Sequence, residues 1–354
     1  MPDLLERHLP IAATFVIALV GAGILTPAAM RWSVLVGLVD HPRAGEEQRI
    51  SVPRAGGHAI YLSFVIGVLA SLAMVARDDR EWVRLAGLGA GMAVLIPFAI
   101  WDDFRRLGPF VQLVAQLACA TIPVLFGITM NSISNPLAPP PFGGQIPLPE
   151  WVAIPATIIW LVLMMNSMNW LDTMDGLAGG VGAIASVFLV VVCVGLDQGS
   201  IALLPAALAG ACLGFIPFNF HPAKVFMGTT GSMFLGYALG VIGVIGGAKV
   251  ASTMLVLGVP VLDAILVIVQ RLAGGRSPFH GGDKAHLVHQ LRLAGLGTRQ
   301  IALLVYALCA LCGAMATALV RLEKFYAFGA LALALAGLFA FVRVRTVVAP
   351  TRSG

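Results

Sequence analysis

Eleven apolar stretches of membrane-spanning length run through this chain, and no other feature of the sequence constrains its fold as strongly. They lie near 9–30, 58–76, 85–101, 111–129, 152–170, 177–196, 200–217, 233–248, 252–270, 300–320 and 325–342. Each fits a helix of roughly 17–25 residues, enough to cross the hydrocarbon core. None alternates polar with apolar as barrel strands do, so the expected fold is all-α. Backbone in lipid has to satisfy its own hydrogen bonds, and a helix does so alone. Only 11% of the 354 residues are charged while 59% are hydrophobic. That is too little polar sequence to cover the core of a soluble fold of this size. The expectation is a polytopic integral membrane protein, a single domain over 1–354, with a lipid bilayer as its first partner.

Orientation follows from lysine and arginine. With the N-terminus outside and the C-terminus inside, the inner loops and ends hold 15 of the 22 basic residues, among them Arg31, Arg54, Arg105, Arg106, Lys224, Arg271, Arg292 and Arg299. The outer side holds the other 7: Arg7, Arg77, Arg80, Arg84, Lys249, Arg321 and Lys324. This bias accounts for the net charge of +5, which therefore does not point to nucleic acid. The first apolar block is long for a secretory leader, and Asp3 and Glu6 precede it, so it reads as a retained helix. Cys119, Cys193, Cys212, Cys309 and Cys312 all fall inside apolar blocks and read as small hydrophobes rather than metal ligands. The proline- and glycine-rich segment 131–151 reads as an ordered outer loop with a short hairpin.

Residues capable of chemistry gather in the inner loops: Asp102, Asp103, Asn169, Asp172, Asp175, Asn219, His221, Lys224, His286 and His289. Carboxylates at helix ends, next to water, cost far less than at the bilayer midplane. A cluster of them can hold a divalent cation and suits an anionic cytosolic substrate meeting a lipid. Transporters instead place polar residues at the midplane, in repeated halves with broken helices, and no halves repeat here. Asn166, Asn169, Asp172 and Asp175 recur every third residue, which on a helix puts neighbours on one face.

Other groups leave two readings open on residue type alone. Asp102 and Asp103, followed by Arg105 and Arg106, form either a helix-end charge cluster or a site. Gly228 to Ser232 is either a plain helix start or a set of N–H groups offered to phosphate. His286 and His289, taken alone, read as solvated surface, and Asp263 reads as an ion-pair partner of Arg271 or as a functional group.

Taken in order, these segments resemble a known family. They are Asp40-His41-Pro42 with Pro53-Arg54-Ala55-Gly56-Gly57, Trp101-Asp102-Asp103-Phe104-Arg105 with Gln116, and the run from Asn166 to Ala178. Asn219 to Gly228 with Gly231-Ser232 follows, then Pro260 to Asp263 with Arg271 and the stretch 283–291. The resemblance covers roughly 40–310 and is to the polyprenyl-phosphate N-acetylhexosamine-1-phosphate transferases. It is nearer the undecaprenyl-phosphate N-acetylglucosamine-1-phosphate transferase branch than the related phospho-N-acetylmuramoyl-pentapeptide transferases.

The resemblance implies transfer of a sugar 1-phosphate from a UDP-sugar to a polyprenyl phosphate, with release of UMP. It implies Mg2+, or Mn2+ in its place, a homodimer, and a bacterial inner membrane with the active face toward the cytoplasm. It assigns Asp102 and Asp103 to the acceptor phosphate or to a base role. Asn169, Asp172 and Asp175 would hold the nucleotide-sugar, with Asp172 and Asp175 supporting the metal. Arg54, Asn219, Lys224, His286 and His289 would bind substrate. The chain departs from the family pattern at charged positions. Thr229 stands at a metal-binding aspartate, Gln112 at a lysine, Val288 and Gln290 at a histidine and an arginine, and Thr173 at a glycine. Gly45, Glu46 and Gln48 replace Arg, Lys and His of the first loop. Two readings follow: a transferase with rearranged metal ligands, or a relative that only binds lipid phosphate or acts as a membrane scaffold.

Overall fold

The structure is a computed structural model that describes residues 2–42, 50–135, 145–246, 250–275, 286–319 and 321–348. Gly45, Glu46, Gln48 and Asp283, singled out from the sequence, lie outside the described residues. Thirteen helices carry the described fold: α1 (Pro2–Leu35), α2 (Gly56–Leu72), α3 (Asp79–Arg105), α4 (Pro109–Leu125), α5 (Glu150–Leu171), α6 (Leu177–Gly195) and α7 (Gly199–Asn219), then α8 (Gly228–Ile245), α9 (Val250–Val256), α10 (Gly258–Ala273), α11 (Leu287–Leu293), α12 (Thr298–Ala318) and α13 (Arg321–Val348). The chain is an all-α polytopic membrane protein. Seven of these helices are long and apolar enough to cross a membrane (α1, α3, α5, α6, α7, α8 and α12), and α2 and α4 are apolar helices of 17 residues.

Each of the eleven apolar blocks corresponds to helix, with one correction. The ninth block is broken into α9 and α10 at Leu257. Pro260 is the cause, because it has no N–H to return to the carbonyl four residues back. The hairpin expected in 131–151 is present as β3 (Ser132–Ser134) paired antiparallel with β4 (Gln145–Pro147). A smaller ribbon, β1 (Val39–Asp40) with β2 (Val52–Pro53), closes the segment between α1 and α2.

Helix ends follow local chemistry. Asp78 caps α3 by accepting from the Glu81 N–H at 2.7 Å, and Asp79 and Glu81 add negative charge to that first turn. Pro109 opens α4, where a missing N–H costs nothing. All five cysteines are buried free thiols, as their setting in apolar blocks implied.

The helices alternate in direction, so their loops collect at two ends. At one end Arg106 pairs with Asp40 at 2.7 Å, Phe226 N–H donates to Pro53 O, and Gly176 N–H donates to Asn219 Oδ1. At the other, Ser200 hydrogen-bonds Glu81 and Lys324 donates to Ser252. Between them α8 forms the axis of the bundle. Every one of its residues except Val244 is buried, and it packs on α2, α3, α5, α6 and α7. Gly236 sets its distance from α5: a Cβ there would lie 2.3 Å from the Met164 carbonyl oxygen. Backbone atoms cannot yield as a side-chain tip can, so this contact tolerates no side chain.

Gly236→Ala should therefore lower the melting temperature in detergent, by overpacking of about 1–3 kcal/mol. Gly89→Ala in α3 meets nothing within 4 Å and should leave it unchanged or slightly raised. Equal melting of the two variants would contradict this account of the α5–α8 contact.

Candidate active site

The end that gathers the predicted polar residues is organised around Asp103. This carboxylate sits in the last turn of α3, is 4% exposed, and receives the N-terminus of α8. Its Oδ1 accepts from Thr229 N–H at 2.7 Å, and its Oδ2 accepts from Thr230 N–H at 3.0 Å and from the Thr230 hydroxyl at 2.6 Å. Arg54 Nε lies 3.5 Å from Oδ1. The N–H groups that the sequence offered to a phosphate are thus taken by the protein's own carboxylate, which complements the helix dipole. Gly228 makes this possible. It has φ +71, and a Cβ there would fall 2.8 Å from both the Asp103 carboxylate and the Arg54 carbonyl.

Asp102 is also buried, at 2% exposure, but only half engaged. Its Oδ1 accepts from Leu107 N–H and from Gln112 Nε2, both at 2.9 Å, and its Oδ2 has no hydrogen bond among the described residues. The two aspartates are therefore buried and hydrogen-bonded rather than a solvated charge cluster, and they are not equivalent. Gln112, at a family lysine position, holds Asp102 with a neutral donor.

The polar stripe from Asn166 to Asp175 does not share one helix. α5 ends at Leu171, with Asp172 as its cap residue, and the chain then turns through Gly176 at φ +77 into α6. Asn166 stays inside α5 and exchanges amide hydrogen bonds with Gln116 of α4. Asn169 makes no side-chain hydrogen bond among the described residues. Asp175 Oδ2 accepts from Ala223 N–H at 3.0 Å and lies 2.7 Å from His221 Nδ1, leaving Oδ1 open. The site aspartate left out of this bonding is Asp172, whose carboxylate has no hydrogen-bond partner among the described residues. It lies half-buried in the field of Arg54, Asp103 and Asp175. Burial pushes its carboxyl well above the usual carboxylate range; Arg54 opposes this, and Asp103 and Asp175 add to it.

The other predicted residues are engaged to different degrees. Both ends of the Asn219 amide are engaged, accepting from Gly176 N–H and donating to Val225 O at 2.8 Å, which stitches the loop after α5 to the loop after α7. Lys224 is exposed. The Thr229 hydroxyl makes no hydrogen bond among the described residues. His286 is buried at 5% exposure, not solvated: its Nδ1 lies 2.8 Å from Asp263 Oδ2. Asp263 therefore pairs with His286, not with Arg271. His289 stands one turn on, its N–H bonded to the His286 carbonyl.

Two features escaped the sequence. Arg299 at the start of α12 donates from Nε to the His221 carbonyl at 3.1 Å, and these two with Gly297, Thr298 and Gln300 line a cavity of about 310 Å3. His58, in the first turn of α2, is 9% exposed with neither ring nitrogen bonded among the described residues; its ring sits between Trp32 and Tyr61. Only its place in the turn after Arg54 hinted at it.

Among the described residues no three His, Cys, Asp or Glu side chains converge as a metal-binding group. Two carboxylates suffice for Mg2+, which binds through one or two of them together with substrate phosphates and water. Asp172 and the open oxygen of Asp175 fit that requirement; Asp103, fully engaged, does not.

The matched family model is glycosyl transferase family 4, over residues 85–247. That span contains Asp102, Asp103, Asp172, Asp175 and Thr229. The chain is 33% identical over 309 residues to a Bacillus subtilis (strain 168) protein named "Probable undecaprenyl-phosphate N-acetylglucosaminyl 1-phosphate transferase", covering 85% of this chain and 82% of that one. It belongs to glycosyl transferase family 4. Within the family it is also 32% identical to the decaprenyl-phosphate N-acetylglucosaminephosphotransferase of Mycolicibacterium smegmatis (82% of this chain, 79% of the other). A phospho-N-acetylmuramoyl-pentapeptide-transferase of Pelotomaculum thermopropionicum is 37% identical (74% and 82%). Inside this family frame, a threonine stands where the resemblance expects a metal-binding aspartate, and Asp172 is the site carboxylate with no protein bond.

Asp103 and Asp172 should respond oppositely to neutralisation. Asp103→Asn turns an acceptor of buried N–H groups into a donor and should destabilise the fold by about 1–3 kcal/mol or more. Asp172→Asn removes a carboxylate that the fold holds against its preference. In chelator this variant should melt higher than the parent at neutral pH. The gap should close as pH falls through the raised folded value toward the ordinary 3.8, where the parent is protonated folded and unfolded alike. Asp172→Asn melting below the parent at neutral pH would overturn this assignment.

Proposed function

We propose that this chain transfers a sugar 1-phosphate from a UDP-sugar to undecaprenyl or another polyprenyl phosphate, releasing UMP. The sugar its relatives' names support is N-acetylglucosamine, and the product serves synthesis of cell-envelope polysaccharide. The observation that carries this reading is the Asp172 carboxylate, unbonded among the described residues and set in the field of Arg54, Asp103 and Asp175 at the polar end of an apolar bundle. An apolar bundle admits a lipid acceptor from its side, while the polar end meets a water-soluble donor. The excess of Lys and Arg in the loops of that end supports a cytoplasmic active face and an inner membrane. A homodimer belongs to the same proposal by family analogy.

In the reaction an oxygen of the acceptor phosphate attacks the phosphorus that bears the sugar. The bond from that phosphorus to the bridging oxygen breaks, and UMP leaves with the electron pair. Both partners are anions, so charge has to be balanced more than bonds polarised. Arg54 supplies fixed positive charge and is itself oriented by Asp103. The free Oδ2 of Asp102 is placed to accept a proton or a hydrogen bond from the acceptor phosphate. Asp172 with Asp175 Oδ1 would hold Mg2+, which supplies charge neutralisation at the diphosphate when bound. Exposed Lys224 and partly exposed Asn169 would contact the nucleotide-sugar.

The second reading, a binding-only relative, rests on Thr229, Gln112 and Val288 and is not favoured, because the acidic groups the reaction needs are present. Purified protein in detergent, given labelled UDP-N-acetylglucosamine and undecaprenyl phosphate, should form labelled lipid with Mg2+ and none with chelator. Asp172→Asn should lower the rate by about a hundredfold or more, as loss of a group acting on transition-state charge does. A folded protein that makes no lipid product from any UDP-sugar would leave the binding-only reading standing.

A further inference from the structure

Asp263 on α10 makes two bonds to consecutive residues of another segment. Its Oδ2 lies 2.8 Å from Nδ1 of His286, and its Oδ1 accepts from the Leu287 N–H at 2.7 Å. Both side chains are buried, at 8% exposure for Asp263 and 6% for His286. The two bonds act differently. The bond to Leu287 N–H satisfies the first turn of α11 and pins that segment to the span. The bond to the ring fixes which nitrogen acts. A carboxylate accepts only, so the proton on Nδ1 points at Asp263 and Nε2 is left for other work.

Nε2 has no hydrogen-bond partner among the described residues. The ring is held on its face as well, with Trp170 5.4 Å away, centroid to centroid. The Arg271 guanidinium sits over that same indole at 5.3 Å. Trp170 lies in the last turn of α5, two residues before Asp172. A buried carboxylate and an indole thus hold the imidazole against the end of α5 that leads into Asp172. A histidine whose only task was to pack would not need its tautomer fixed by a buried charge.

We propose that Asp263 is the positioning residue of His286, holding the ring so that Nε2 donates a hydrogen bond to a phosphate of the nucleotide-sugar. This rests on the transferase reading of the site. The carboxylate accepts at one ring nitrogen and the phosphate at the other, so the ring bridges two acceptors. Asp263 itself touches no substrate. The matching shape of asparagine cannot replace it: the ring and the Leu287 N–H address different carboxylate oxygens, asparagine has an acceptor at only one of those two places, and its NH2 at the other faces a donor or forces the opposite tautomer.

The test compares the parent with Asp263→Asn, His286→Gln and the double variant, each purified in detergent and shown to be folded by its melting curve. The KM for the nucleotide-sugar should rise ~10–100-fold in Asp263→Asn, as loss of a partner that orients a working histidine does. The KM for the lipid acceptor should stay unchanged. The double variant should be no worse than His286→Gln, because Asp263 acts only through the ring. Additive losses, or an Asp263→Asn protein that melts lower with an unchanged nucleotide-sugar KM, would reduce Asp263 to an anchor and overturn the proposal. The rise in melting temperature caused by UDP gives a readout independent of turnover. If the parent transfers nothing, the function above fails alone, and the pairing is still read from UDP. A rise that is smaller in both single variants and no smaller in the double supports it, whereas equal rises in all four proteins, or none in the parent, overturn it.

Discussion

The buried carboxylate of Asp103 ties three otherwise separate parts of the chain together. It takes the N–H groups that begin α8, the Thr230 hydroxyl and the Arg54 guanidinium. A charge this deep in an apolar bundle is tolerable only when its lone pairs are filled, and here they are filled by a helix N-terminus. The arrangement fixes α8 along its axis relative to α3. It also fixes the start of α2, whose Gly56 and Gly57 N–H groups bond the Phe226 and Met227 carbonyls. Everything at the polar end is placed from that frame: Asp102 one residue away, Arg54 beside it, and the loop carrying His221 and Lys224 leading into α8. Two adjacent aspartates are thus held differently, one with both oxygens taken up by the scaffold and the other with one oxygen unbonded among the described residues.

Most of the fold was legible because a membrane makes hydrophobicity almost binary. Spans appear as apolar blocks, and ten of the eleven became unbroken helices. The exception, between α9 and α10, turned on Pro260 inside an apolar run, where the missing N–H outweighs the hydropathy pattern. The short α11 was not legible, since seven residues in a polar segment carry no spanning signal.

The site was legible as a set of residues but not as a set of roles. Spacing suggested one helical face for Asn166 to Asp175, yet the chain leaves the helix at Leu171, and only that departure separates the free Asp172 from the bonded Asp175. Which aspartate a loop will saturate depends on backbone N–H groups far away in sequence, as with Thr229 and Asp103, 126 residues apart. Asn219 and Asp263 illustrate the same limit. Their type suggested substrate contact or an ion pair, and their partners turned out to be Val225 and His286. His58 shows the converse, a polar group at the head of an apolar run, to which only its closeness to Arg54 drew attention.

The burial of α8 also bears on how the chain is made. With mean hydropathy 1.4 over its central window, it is the least apolar of the seven long spans, and 94% of that window is enclosed by protein. In the finished molecule that is sensible, since a helix that never meets lipid need not dissolve in it. During synthesis the same helix leaves the translocon facing lipid, before α12 and α13 exist. The glycines that let α5 and α2 approach it closely give it little hydrophobic weight for partitioning alone. Its insertion therefore depends on helices already waiting in the membrane, and the order of the elements in the chain supplies them: α2, α3, α5, α6 and α7 are translated before it, and α9, which also packs on it, follows. Assembly of the axis is thus templated by its own walls.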